Sequence, residues 1–197
     1  MPELTLQQLR VAHVGPVDLH IKASEIVCLS GASGSGKSLL LRAIADIIPH
    51  SGQVLLDAQP AQTMTAPHWR KQVGLLPAEN QWWQDHVGEH YQNQDNDLLT
   101  SLGFDESTWQ WQIANCSTGE KQRLALLRLL ANQPTCLLLD EPTASLDPDN
   151  TRRVEQVLRE YIAARQTPVL WVSHSREQIQ RMATRQFVMR DGKLEAA

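Results

Sequence analysis

The eight residues Gly31-Ala32-Ser33-Gly34-Ser35-Gly36-Lys37-Ser38 constrain this chain more than any other segment. They follow an apolar, strand-like run at 25–30. Beyond Lys37, the residues Leu39, Leu40, Leu41, Ile44 and Ile47 recur at helical spacing until Pro49 and Gly52 stop them. Strand, glycine-rich loop and helix in direct succession form a βα unit, and further strands and helices are needed to bury its faces. The glycines free the loop backbone to turn its N–H groups inward, and the helix start adds its positive dipole end to the same pocket. In that context the spelling GxxxxGK[ST] predicts a cradle for a nucleoside triphosphate. Lys37 is expected to reach the β- and γ-phosphates and the Ser38 hydroxyl to ligate Mg²⁺, so ATP with magnesium is the expected ligand.

The rest of the chain supplies the covering. Strand-like runs at 4–11 and 17–21 are set off by Gly15-Pro16 and Ser24, and further strands are expected at 53–57 and 72–76. A leucine-rich helix at 118–131, a strand at 136–139, a helix from about 148 to 165 and a strand at 169–172 follow. Asp191-Gly192 is a preferred tight-turn pair and predicts a hairpin between 186–190 and 193–194. Strands alternating with helices give an α/β chain with a mostly parallel sheet. Its 197 residues suit one domain with a small appended lobe. Residues 81–115 form a polar stretch that holds four of the six tryptophans.

A formal charge of −4 argues against a broad basic surface, so no nucleic-acid partner is expected. Cys28, Cys116 and Cys136 have no CxxC spacing and read as neutral or buried thiols of a reducing compartment. No apolar run approaches the roughly 20 residues that span a bilayer, and no basic leader opens the chain. A cytoplasmic location is expected, with any membrane span supplied by another subunit.

A second set of chemical residues lies downstream. The apolar strand ending in Asp140-Glu141 delivers two carboxylates to the carboxyl edge of the sheet, where open α/β sheets bind ligands. Asp140 is the candidate for the Mg²⁺ shell, and Glu141 for orienting and deprotonating a water. Ser117-Thr118-Gly119-Glu120 reads both as a helix capping box and as a second anion site at a helix start. Asp147 before Pro148 caps another helix. His174, after the strand at 169–172, is either an ordinary core or surface histidine or a group that senses the γ-phosphate.

Taken in order, GASGSGKS (31–38), CSTGEKQR (116–123), CLLLDEPTASLD (136–147) and WVSHS (171–175) resemble the P-loop, signature, Walker B with D-loop, and switch histidine of ATP-binding cassette (ABC) ATPases. The run from Gly119 to His174 looks closest to bacterial transporter ATPase subunits, including those paired with an iron-export permease. The resemblance implies a P-loop NTPase fold with an N-terminal antiparallel β portion. It divides the chain into a core of residues 1–80 and 132–197 and a short helical lobe at about 81–131 that faces a membrane partner. It also implies a head-to-tail dimer, or pairing with another ABC subunit, with two ATPs at the interface. The nucleotide contacts would come from residues 31–38 with Leu39 and from Ser117, Thr118, Gly119, Glu120 and Asp147 across the interface. Lys37, Glu141 as base and His174 as switch would form the catalytic set, with Ser38 and Asp140 as magnesium partners.

Ala78 stands where the family usually has glutamine, and Cys116 and Thr118 where leucine and glycine are common. No adenine-stacking aromatic stands near the N-terminus, which leaves His13 as its candidate substitute or as a surface residue. Trp82, Trp83, Trp109 and Trp111 either fill the lobe's own small core or line a groove for a partner helix. The implied role is a transporter ATPase subunit, peripheral on the membrane through its permease. The rival readings are a soluble ABC ATPase acting on DNA, ribosomes or a protein complex, a small P-loop kinase, and a module that binds ATP without hydrolysing it because of Ala78.

Overall fold

The strand that feeds the glycine loop, β3 (Ile26–Gly31), lies inside a six-stranded sheet in the computed structural model, which describes residues 1–197. Its neighbours are β8 (Val169–Val172) and β9 (Arg185–Arg190), both parallel to it. Beyond β8 lie β7 (Cys136–Asp140) and β6 (Val73–Leu76), also parallel, and only β10 (Lys193–Ala196) runs antiparallel, at the far edge. A second, antiparallel sheet has the order β2-β1-β4-β5, built from β1 (Leu4–Val11), β2 (Val14–Ile21), β4 (Ser51–Leu56) and β5 (Gln59–Pro60). Six helices connect and cover these strands: α1 (Lys37–Ile44), α2 (Ala66–Gln72), α3 (Asn96–Ser101), α4 (Thr118–Ala131), α5 (Pro148–Arg165) and α6 (Arg176–Met182).

The inner parallel strands β3, β7 and β8 are apolar along nearly their whole length because both of their faces are covered. Val27 and Leu29 of β3, Leu138 of β7 and Leu170 and Val172 of β8 face a core shared with α1 and the antiparallel sheet. Ile26 and Cys28, Leu137 and Leu139, and Val169 and Trp171 face a second core under α4, α5 and α6. The alternation places every second side chain of one strand in each core. All three cysteines are buried and unpaired, and burial pushes the Cys28 thiol up to about 12.

Several local expectations needed correction. Gly15-Pro16 lies inside β2, and the chain reverses one step earlier, at Ala12-His13. Proline is tolerated there because β2 is the edge strand of its sheet and Pro16 has no inward ladder bond to lose. Gly15 N–H instead donates to the Gly192 carbonyl (2.8 Å), joining β2 to the C-terminal hairpin. The strand expected at 72–76 starts at Val73, because Gln72 ends the unforeseen helix α2. That helix is held by the fully buried Trp69, whose indole N–H donates to the Ile44 carbonyl (2.8 Å). The polar helix α6 was also unforeseen, and its fold-back buries Ile179 and Met182.

The tryptophan-rich stretch does not build a core of its own. Val87, Leu99, Leu102 and Trp109 join the cluster that runs under α4 to Leu137 and Leu139 of β7. Trp109 is buried and donates to Asn96 Oδ1 (2.9 Å), whereas Trp83 is 65% exposed. Besides α3, short 3₁₀ turns at Val87–His90, Glu106–Gln110 and Ile113–Asn115 make up the segment.

Candidate functional site

The loop after β3 is shaped by two close approaches. Gly31 has φ 144° and Gly36 φ 105°, and a Cβ would come within 2.4 Å of the Met189 carbonyl oxygen at the first and 2.1 Å of Val14 Cγ2 at the second. Only glycine fits either position. Lys37, at the first position of α1, is buried and folds back to donate to the Gly31 (2.8 Å) and Ala32 (2.9 Å) carbonyls. Burial lowers its ammonium pKa, while the Glu141 and Asp140 carboxylates pull the other way. Ser35 Oγ is buried in the loop with no protein partner.

Sheet register brings the other groups to this loop. Asp140 at the end of β7 stands level with Val172 of β8, and the Glu141 N–H donates to the Val172 carbonyl (3.1 Å). Ser173 N–H in turn donates to the Leu29 carbonyl of β3 (3.2 Å). Glu141 takes a left-handed conformation (φ 52°), a strained state for a residue with a side chain and one that clusters at functional sites. Its Oε1 lies 3.2 Å from His174 Nε2. Gly34, Gly36, Lys37, Ser38, Leu39, Glu141 and His174 thus line one cleft of about 190 Å³. On the outer side of the loop, His13 faces Ala32 to Ser35 and the Arg190-Asp191-Gly192 turn across a second cleft of about 490 Å³.

The remaining expected site residues lie elsewhere. Ser117 and Glu120 form a reciprocal capping box on α4: Glu120 N–H donates to Ser117 Oγ (3.3 Å), and Ser117 N–H to Glu120 Oε2 (2.7 Å). Those bonds hold the Glu120 carboxyl below the usual range. Gly119 sits against the segment before α5, where a Cβ would meet the Ser145 carbonyl oxygen at 3.0 Å. Asp147 caps α5 by accepting from the Asn150 (2.9 Å) and Asp149 (3.0 Å) amides, which lowers its pKa. Residues 117–119 and 147 line neither cleft around the glycine loop within this protomer. They form an outward-facing patch of capped helix starts.

The family model for ABC transporters matches residues 14–144. The chain belongs to the ABC transporter family. It is 31% identical over 176 residues to "Probable iron export ATP-binding protein FetA" of Escherichia coli (strain K12), covering 83% of this chain and 78% of that protein. It is 36% identical over 194 residues to "Fe(3+) ions import ATP-binding protein FbpC" of Streptomyces avermitilis, covering 90% of this chain and 55% of that protein. The fold matches a bacterial Atm1-family ABC exporter solved with ATP bound, at a TM-score of 0.87 and 21% identity, over 98% of this chain and 38% of that one. As a member of this family the chain is an ATP-binding protein of the transport ATPases. No helix is long and apolar enough to cross a membrane.

The residues of this ABC chain fit magnesium and a polyphosphate together. Ser38 and Asp140 offer a hydroxyl and a carboxylate, the hard oxygen donors Mg²⁺ takes. No group of three His, Cys, Asp or Glu converges to hold a metal alone, so phosphate oxygens and water would complete the shell. The unpartnered Ser35 hydroxyl and the ammonium of Lys37 suit phosphate oxygens.

One position marked in the sequence lies outside the clefts, and one polar cluster escaped the sequence reading. Ala78 is exposed and lines neither loop cleft, which leaves Glu141 and His174 as the ionisable groups beside Lys37 in the inner one. Behind His174, Ser173, Gln178 and Glu155 are buried polar residues joined to Arg181. Burial alone would push the Glu155 carboxyl up, but hydrogen bonds from Arg181 and Gln178 and the Arg181 and Arg159 charges leave it below the ordinary range. A lowered folded-state pKa stabilises the fold fully above the ordinary glutamate range and loses that contribution as pH falls through the lowered value. Thermal melts recorded against pH will therefore show an acid-side loss in the parent that is reduced in Glu155→Gln. Parallel acid limbs in both proteins would contradict it.

On the far side of β6, a groove of about 470 Å³ is lined by Leu75, Pro77, Trp83, His90, Arg128 and Leu129 among others. His90 Nε2 accepts from the Trp83 and Gln84 amides, both at 3.1 Å, which requires the neutral ring protonated at Nδ1; that nitrogen donates to the His86 carbonyl (3.0 Å). Arg128 lies over the Trp82 and Trp83 rings at 4.5 and 4.8 Å. Trp83 is thus fixed at the groove's mouth rather than left loose.

Proposed function

We propose that the chain is the ATP-hydrolysing subunit of an ABC transporter, acting with magnesium at a site closed by a second ABC subunit, and that it energises an integral-membrane permease. One observation carries this reading: the glycine loop, Glu141 and His174 share one cleft, whereas Ser117, Gly119 and Asp147 line no part of it on the same protomer. A phosphate-binding half and a helix-start half that do not meet within one chain suit two composite sites in a head-to-tail pair. Backbone amides of residues 31–38 and Lys37 would hold the phosphates, with His13 beside the adenine ring.

Glu141 accepts a proton from the attacking water, whose oxygen bonds to the γ-phosphorus while the bond to the bridging β–γ oxygen breaks and ADP departs. His174, paired with Glu141, orients that carboxylate and contacts the γ-phosphate. Ser38 and Asp140 would hold magnesium, which would supply positive charge against the phosphate oxygens when bound. Ser117 and Gly119 of the second subunit cap the γ-phosphate, and Asp147 joins the interface. In this reading residues 1–80 and 132–197 are the nucleotide core and 81–131 the lobe toward the permease. The groove beside Trp83 and Arg128 meets a helix of that partner at the inner membrane face.

The test is the ATPase rate per chain as protein concentration rises, with and without a purified permease. The rate per chain increases with concentration as composite sites form, and a cognate permease raises it further. A rate that is independent of concentration and indifferent to every permease contradicts the reading.

A further inference from the structure

We propose that Gln178 is a positioning residue for the hydrolytic site, a buried amide that ties the Glu141 turn and the His174 turn into one unit; the inference rests on the ATPase reading above. Gln178 is 3% exposed and lies on α6, outside every motif read from the sequence. Its amide is fully used. Ser173 Oγ–H donates to Gln178 Oε1 (2.9 Å), and Gln178 Nε2 donates to Thr143 Oγ1 (2.8 Å) and to Glu155 Oε1 (3.0 Å). Ser173 immediately precedes His174. Thr143 lies inside the turn closed by the Ala144 N–H on the Glu141 carbonyl (3.2 Å).

The orientation of the amide is fixed from behind. Arg181 grips both Glu155 oxygens, at 2.8 and 3.0 Å, so Glu155 is an ionised acceptor with no proton to give. Only the NH₂ end of Gln178 can face it, which leaves the carbonyl end for Ser173 and the second N–H for Thr143. Ser173 Oγ also accepts from Ser175 N–H (3.2 Å), fixing the backbone on either side of His174. A chain of directed bonds therefore runs from a half-exposed arginine through Glu155 and Gln178 to the two turns whose side chains meet at 3.2 Å as Glu141 and His174. Glutamate in place of Gln178 could not donate to Thr143 and would bring a second carboxylate against Glu155. A displacement of about 1 Å in a reacting group can cost about 100-fold in rate, so a fixed separation between these turns matters for the chemistry.

The test uses Gln178→Met, which keeps the length and removes every polar contact, alongside the paired change Thr143→Val with Ser173→Ala. The expected result is a kcat per folded chain about 10- to 100-fold lower, with the KM for ATP within about twofold. The His174 ring signals in ¹⁵N spectra, assigned by difference against His174→Gln, shift and broaden. Gln178→Met placed on the paired change adds less than about twofold, because both act through the same tie. If Gln178→Met does not fold, the paired change alone carries the same expected loss. Melting that falls while kcat per folded chain and the His174 signals stay at the parent's values overturns the proposal. A parent without magnesium-ATP turnover sensitive to Glu141→Gln would sink the ATPase reading instead, and the His174 signals would still decide whether Gln178 holds that turn.

Discussion

Replacing Lys37 by alanine weakens ATP binding about 10- to 100-fold, the worth of one or two charge-assisted hydrogen bonds, and lowers turnover about 100- to 1,000-fold. The larger effect on turnover follows from where charge builds up. Negative charge spreads over the transferred group as the β–γ bridge breaks, and an ammonium held in the loop, with one N–H beyond those given to Gly31 and Ala32, is placed to meet it. The substitution also deprives the Gly31 and Ala32 carbonyls of their donor, so part of the binding loss reflects a looser loop. Isothermal titration with a non-hydrolysable ATP analogue, beside phosphate release from ATP, separates the two effects. Binding and turnover equal to the parent's would remove residues 31–38 from the site, and every other assignment with them.

Glu141→Gln is expected to separate binding from chemistry. The amide keeps the size of the carboxylate and its contact with His174 Nε2 but cannot take a proton from water, and a general base contributes about 100- to 10,000-fold. Hydrolysis falls by that factor while ATP affinity stays within about threefold of the parent's. If a second copy closes the site, the uncleaved nucleotide holds the pair together. A dimer that appears in light scattering only with magnesium and ATP is the predicted signature. Equal hydrolysis in the two proteins excludes Glu141 as base, and an ATP-bound variant that stays monomeric excludes the composite site.

These two predictions draw on residues of different legibility. Lys37 was readable because the conformation of its loop is local: Gly31 and Gly36 take backbone angles denied to other residues, and a strand and a helix flank them. The helix start at Ser117 and that at Asp147 were readable for the same reason, since a capping side chain bonds amides two or three residues away. The apolar runs of β3, β7 and β8 announced strands covered on both faces. Their order in the sheet, which sets Asp140 level with Val172 and so brings Glu141 to His174, was not written in any one of them.

The sequence by itself therefore determined the phosphate loop, the acids that end β7, the helix caps and the alternation that gives an α/β chain. Each depends on backbone angles or on neighbours within a turn or two. Only the tertiary structure decided that Trp109 is buried while Trp83 is exposed, that His13 turns toward the glycine loop, and that Gln178 joins Thr143 to Ser173. Gln178 and Thr143 are 35 residues apart. A glutamine in a polar stretch looks like any solvated side chain until the fold removes its water. Burial then obliges it to find partners, and the partners it finds are the two turns that hold the candidate catalytic pair.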